Sequence, residues 1–231
     1  MFSGEAYNVE MGITNELFPQ AVEELPVCNG PNKNHPNDLT RMDADDSRNQ
    51  AFTNPLHELA DWMQFTLFMR FLDGPKPVAL SASAQRGQQL FGTNVNNPGV
   101  GCFLCHTPTM QTAAATEIPA LQNKPVNLFS DLLIHHMGPG LADRITQGAA
   151  AGDMFRTTPL WGVGQRIFFL HDGRTSDLLQ AVLAHASSNG EKGIGGKSGD
   201  FPPSEAEAVI AAFRHLSAAD SQALLDFLRS L

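Results

Sequence analysis

Cys102, Cys105 and His106, in the run GCFLCHTPT, have the types and spacing to do chemistry together. Two thiols three positions apart can each form a thioether to a haem vinyl group, and the next residue offers an imidazole nitrogen to the iron. Attachment and ligation then become one local event. A zinc site of four protein ligands would need a second Cys or His pair at similar spacing. The only other cysteine among the three in the chain is Cys28. The box therefore reads as the attachment site of one covalent haem c, with His106 as the proximal iron ligand. A backbone carbonyl near Pro108 should hold the second ring nitrogen of His106 and fix the ring.

The opposite side of the iron has many candidates, because the chain carries eight histidines and eight methionines. His35, His57 and His215 read as surface or capping residues, and Met63 and Met69 as filler in an apolar helix. That leaves Met110, His135, His136, Met137, Met154, His171 and His185 open.

These residues need elements to position them. Asn54 followed by Pro55 gives a helix start and Asp73-Gly74-Pro75 a stop, so the sequence predicts a helix over 55–72. Its second half, WMQFTLFMRFL, is apolar on nearly every face, which suits a helix held between two packing surfaces. Pro75 and Pro77 make a stiff connector, with a domain boundary between residues 1–79 and 80–231. The first part reads as an irregular segment plus that long helix. The second starts with Ser81 or Ser83 capping a helix that contains Arg86, Gly87, Leu90 and Phe91. Glycine costs a helix about 1 kcal/mol relative to alanine, so Gly87 points to close contact with another helix. The expected partner is the final one, where Ser217 caps and Leu224, Leu225, Phe227 and Leu228 form the apolar stripe. Further helices are expected over 130–136, 177–185 and 203–216, with a glycine-rich loop over 187–200 and no alternating strand pattern. The class is mainly α: a c-type cytochrome domain with long loops.

Composition narrows the partners. Fifteen basic against 24 acidic residues and a net charge of -9 argue against nucleic acid or an anionic membrane surface as partner, since such partners are bound mainly by clustered Lys and Arg. No apolar run approaches a bilayer span. The start, MFSGEAYNVEMG, lacks the regions of a secretory signal, as expected of a mature chain or a fragment. Haem attachment of this type takes place outside the bacterial cytoplasmic membrane, so a periplasmic or extracellular location is expected. Asp43, Asp45 and Asp46 read as a solvated acidic turn without the glycine and distal glutamate of a calcium loop, and Cys28 as a buried or free thiol.

Four segments in order, GCFLCHTPT, FSDLLIHHMGPGLAD, FRTTPLWGVG and FFLHDGRTSDLLQAVLAH, resemble the C-terminal haem domain of the bacterial di-haem oxidoreductases, relatives of the di-haem cytochrome c peroxidases. MGITNELFP at 11–19 resembles the family's middle region. The resemblance implies that the helix after Phe169-Leu170-His171-Asp172-Gly173 supplies the distal ligand, and the equivalent position here is His185. Bis-histidine ligation by His106 and His185 is the expectation that follows, with Met137 the alternative. His171 then becomes a residue of the loop or the haem edge. Arg156, Trp161 and Arg166 flank a PLWG turn similar to the peroxidases' haem-crevice loop, where an arginine could pair with a propionate and Trp161 could line a route to a second haem. Two features depart from the pattern: one haem box is present where the family has two, and His136 stands where an aspartate is expected. The resemblance implies an oxidoreductase whose haem relays electrons to a second haem domain or a redox partner protein. The alternative is a peroxidase-like enzyme with a labile sixth ligand and His135 or His136 as base.

Overall fold

The structure is a computed structural model of the chain, and it describes residues 4–7, 15, 17–18, 61–116, 118–147, 149–187 and 201–231. Cys28, the acidic turn at 43–46, His35, His57, the Asn54-Pro55 helix start and most of the glycine-rich loop lie outside those residues. Helix is the main regular structure among the described residues, with two short antiparallel ladders. The chain divides into two compact units. One comprises Met1–Asp73 with Ile145–Ala149, the other Gly74–Arg144 with Ala150–Leu231.

In the first unit, helix α1 spans Asp61–Phe71. Trp62 is buried on it, and Phe65 meets Tyr7 at 6.4 Å between ring centres. Asn15 is also buried; its Nδ2 donates to Gly4 O at 2.6 Å and its Oδ1 accepts from the amides of Leu17 and Phe18. Phe65, Phe68, Met69 and Phe71 are exposed on α1. Apolar side chains run all round α1 instead of along a stripe, so one packing surface cannot cover them.

The second unit is closed by two helices. Helix α2 spans Ala82–Phe91 and starts at Ser81, whose hydroxyl accepts from the Ala84 amide at 3.1 Å. It stops at Gly92, where φ is +88° and a Cβ would lie 2.2 Å from Pro98 O. Between it and the C-terminal helix lie the ladders β1 (Met110–Gln111) with β2 (Pro125–Val126), and β3 (Ile134–His136) with β4 (Met154–Arg156). They are accompanied by helix α3 (Gly138–Leu141), α4 (Leu178–Leu183) and α5 (Glu207–Arg214). Helix α6, Ala218–Ser230, is capped by Ser217, which accepts from the Asp220 amide at 3.1 Å. The two closing helices cross at Gly87, where a Cβ would sit 1.9 Å from Ala223 O and 2.8 Å from Phe227 Cβ. Only a residue without a side chain permits that approach. Phe91, Leu224 and Phe227 are almost fully buried in the resulting core, and Leu178 and Ala181 of α4 join it.

One expected helix is absent. Residues 134–136 form β3 instead, with Ile134 opposite Arg156 and His136 opposite Met154. The run SDLLIHH has apolar residues at helix-compatible spacing, but its polar side chains and amides find partners in neighbouring segments, and those bonds decide the outcome.

Candidate haem site

The box folds as a single turn of 3₁₀ helix, Cys102–Leu104, entered through Gly101 at φ +101°. The His106 amide donates to Cys102 O at 3.0 Å, which sets the imidazole one turn beyond the first thiol. Cys102 and Phe103 pack against the α2–α6 core, and neither Cys102 nor Cys105 is in a disulfide. Burial pushes the Cys102 thiol up to about 12. Burial also raises that of Cys105, helped by the charges of Asp131 and Glu205. In both cases burial disfavours the thiolate form.

A strap formed by residues 129–131 lies along the back of the box. The consecutive amides of Phe129, Ser130 and Asp131 donate to the carbonyls of Pro108, Thr107 and Cys105, at 3.3, 2.9 and 2.8 Å. Phe129 returns its own carbonyl to Nδ1 of His106 at 3.0 Å. The carbonyl that fixes the ring therefore belongs to Phe129; Pro108 serves one step removed, as acceptor for the Phe129 amide. Phe129 has φ +54° and Leu132 φ +60°, a left-handed conformation that costs a residue with a Cβ about 1–2 kcal/mol. Ser130, between them, is fully buried; it donates to Thr157 O at 2.7 Å and accepts from the Leu132 amide at 2.9 Å.

His185 approaches from α4. Asp177 caps that helix by accepting from the amides of Leu179 and Gln180, and the buried faces of Leu178 and Ala181 set its rotation. The chain turns tightly after Leu183, with the His185 amide on Val182 O at 3.2 Å and Nδ1 bonded to Ala181 O at 2.8 Å. Ser204 donates to the His185 carbonyl at 2.5 Å.

The two imidazoles stand 6.4 Å apart between ring centres, with planes at 58°. Each has Nδ1 tied to a backbone carbonyl, which leaves Nε2 for a metal. An ion bound at about 2 Å by each Nε2 would separate the ring centres by about 6.3 Å. Burial, and then the nearby His185, push His106 down to about 4. Burial likewise lowers the pKa of His185. Both rings are neutral near pH 7, the state in which an imidazole can ligate iron. This donor set fits a haem iron bound on its two faces.

The other expected residues are placed differently. Met137 reaches this region through its backbone, its carbonyl accepting from Ser187 at 2.8 Å. Arg156 on β4 and Arg166 after the 3₁₀ turn Val163–Gln165 are exposed, and Trp161 is half-buried against Gly74. His171 stacks on Phe155 at 4.2 Å and lies 3.8 Å from Asp143.

Two arrangements escaped the sequence reading. β3 sends its two histidines to opposite sides. His135 is clamped between Asp131 at 2.9 Å and Glu205 at 2.7 Å, and ligand atoms of Cys105, Asp131 and His135 lie within 4.8 Å of one another. Both His135 nitrogens are committed to carboxylates. His136 bonds through Nδ1 to Asp153 at 2.8 Å, and that carboxylate is fully buried, its second oxygen without a hydrogen-bond partner. The pairing of His136 with Met154 brings Asp153 there, and a three-residue strand carries too little periodicity to be seen in advance.

No curated protein and no solved structure matches the chain. A family model described as "Di-haem oxidoreductase, putative peroxidase" matches residues 3–231. Haem-based redox chemistry is the function this family shares, and the match spans nearly the whole sequence. The protein is a member of the di-haem oxidoreductase family.

Proposed function

We propose that the second unit is a c-type cytochrome domain carrying one covalent haem, attached through Cys102 and Cys105 and ligated by His106 and His185. Its role is to relay electrons within a di-haem oxidoreductase. The approach of two neutral imidazoles to 6.4 Å carries the reading. The haem, when bound, supplies a one-electron ferric/ferrous couple. The Phe129 and Ala181 carbonyls fix the rings of His106 and His185, so neither imidazole would need to move when the iron changed oxidation state. A second imidazole would also leave no open position for peroxide, which favours electron transfer over chemistry at such an iron. The proposed partner is a second haem domain or a redox protein, in the periplasm or outside the cell. Neither nucleic acid nor a membrane span enters this reading: the charge is -9, and among the described residues no helix is long and apolar enough to cross a bilayer.

The test is made on haem-loaded protein. Intact mass should show one covalent haem, and low-temperature spin resonance should show low-spin iron with two imidazoles. A thioether-sulfur band at the red edge of the oxidised spectrum would overturn the ligand assignment. Immediate binding of cyanide or peroxide would overturn the relay role in favour of a peroxidase-like enzyme with a labile sixth ligand.

A further inference from the structure

We propose that Phe129 is the positioning residue that sets the donor strength of His106, and through it the reduction potential of the haem. This rests on the reading of His106 as an iron ligand. The Phe129 carbonyl accepts from His106 Nδ1 at 3.0 Å, and it points there because the backbone is held at φ +54°. A residue with a Cβ leaves that region unless its surroundings hold it. Two contacts do so. The Phe129 ring packs edge-on against Phe91 of α2 and Phe227 of α6, at 5.9 Å in each case. Those rings meet each other at 5.4 Å, and Phe91 lies 6.4 Å from the His106 ring. The crossing of the closing helices thus grips the side chain whose backbone holds the proximal imidazole.

A firm Nδ1–H···O bond makes an imidazole a stronger donor and stabilises ferric iron; loosening it moves the potential upward. Losing the ring leaves the backbone held by the strap's amide bonds alone, and the outcome then depends on what remains at the position. Alanine, with a Cβ, relaxes out of the left-handed region and turns the carbonyl away. Glycine can stay at φ +54° without strain. The side chain and the backbone are therefore separable.

The experiment compares haem-loaded wild type with Phe129→Ala, Phe129→Gly and Phe129→Leu by midpoint potential, exchange of the His106 ring N–H and thermal melting. Phe129→Ala should show the largest upward shift and the fastest exchange, Phe129→Gly a smaller shift, and Phe129→Leu, which keeps apolar bulk, a shift below that of alanine. A role in packing alone predicts lowered melting with an unchanged potential, or a glycine shift as large as alanine's, and either result overturns the proposal. If alanine does not fold, a glycine or leucine variant with wild-type potential and exchange overturns it equally. A wild-type spectrum without histidine ligation overturns this inference and the haem reading together, whereas bis-imidazole iron with insensitive variants overturns this inference alone.

Discussion

His106 and His185 face each other at 6.4 Å between ring centres, each turned by a carbonyl of its own neighbourhood: Phe129 for one, Ala181 for the other. One ring belongs to the haem box, the other to the end of α4, and the pair comes from sites far apart in the sequence.

Removing one member should open the site. In haem-loaded His185→Ala the iron should turn from low spin to high spin, and cyanide should bind at once where wild type resists it. In His185→Met a thioether band should appear in the oxidised spectrum and the potential should rise, because a thioether stabilises ferric iron less than an imidazole does.

Gly87→Ala tests the helix crossing. A methyl group 1.9 Å from Ala223 O and 2.5 Å from Ala223 C cannot be accommodated by rotating a side chain, since both are backbone atoms. The helices must separate, at about 1–3 kcal/mol, and thermal melting should fall by several degrees.

Ser130→Ala tests the strap. The change removes the hydroxyl from a fully buried site and leaves Thr157 O and the Leu132 amide without their partner. Unsatisfied buried groups of this kind cost about 1–3 kcal/mol. Urea titration should show a lowered midpoint with an unchanged slope.

The His135 clamp should give a pH signature. Desolvation opposes the charge on His135, but hydrogen bonds and charges from Glu205 and Asp131 outweigh it and raise the pKa above the ordinary 6.5. Its contribution is complete below 6.5 and is lost as pH rises through the raised value. Glu205 is lowered from 4.5, chiefly by the hydrogen bond with His135. Burial pushes Asp131 upward, but hydrogen bonds from Leu133, His135 and Thr157 prevail and lower it from 3.8. The carboxylates therefore contribute above those values and lose their contribution as pH falls through the lowered ones. Melting curves of wild type and His135→Gln should differ most between about pH 4.5 and 6.5 and converge on either side.

Cys102, Cys105 and His106 are nearly contiguous, so no folding argument is needed to bring them together. The α2–α6 crossing was legible in the sequence, since a glycine weakens a helix unless a close approach requires it, and Ser81 and Ser217 mark both starts. The strap was not. Its bonds run from 129–131 to 105–108, and nothing in FSD announces that three successive amides will serve another segment. For the same reason the carbonyl holding His106 was placed near Pro108, close in sequence, when it comes from Phe129. The reading of 130–136 as a helix failed where polar partners outside the segment, above all Glu205 and Asp153, overrode the spacing of its apolar residues. His185 was singled out through resemblance, because among seven candidates nothing local distinguishes it; that its ring lies 6.4 Å from His106 is visible only in the fold.

The crossing at Gly87 also bears on how the protein is made. Ser83 and Asp226, hydrogen-bonded across that crossing, lie 143 residues apart, and contacts so far apart in sequence slow the folding of the unit they close. Until α6 docks, Phe91 lacks Phe227 and the core against which Cys102 packs is open. A chain without its last helix would therefore leave Cys102 uncovered.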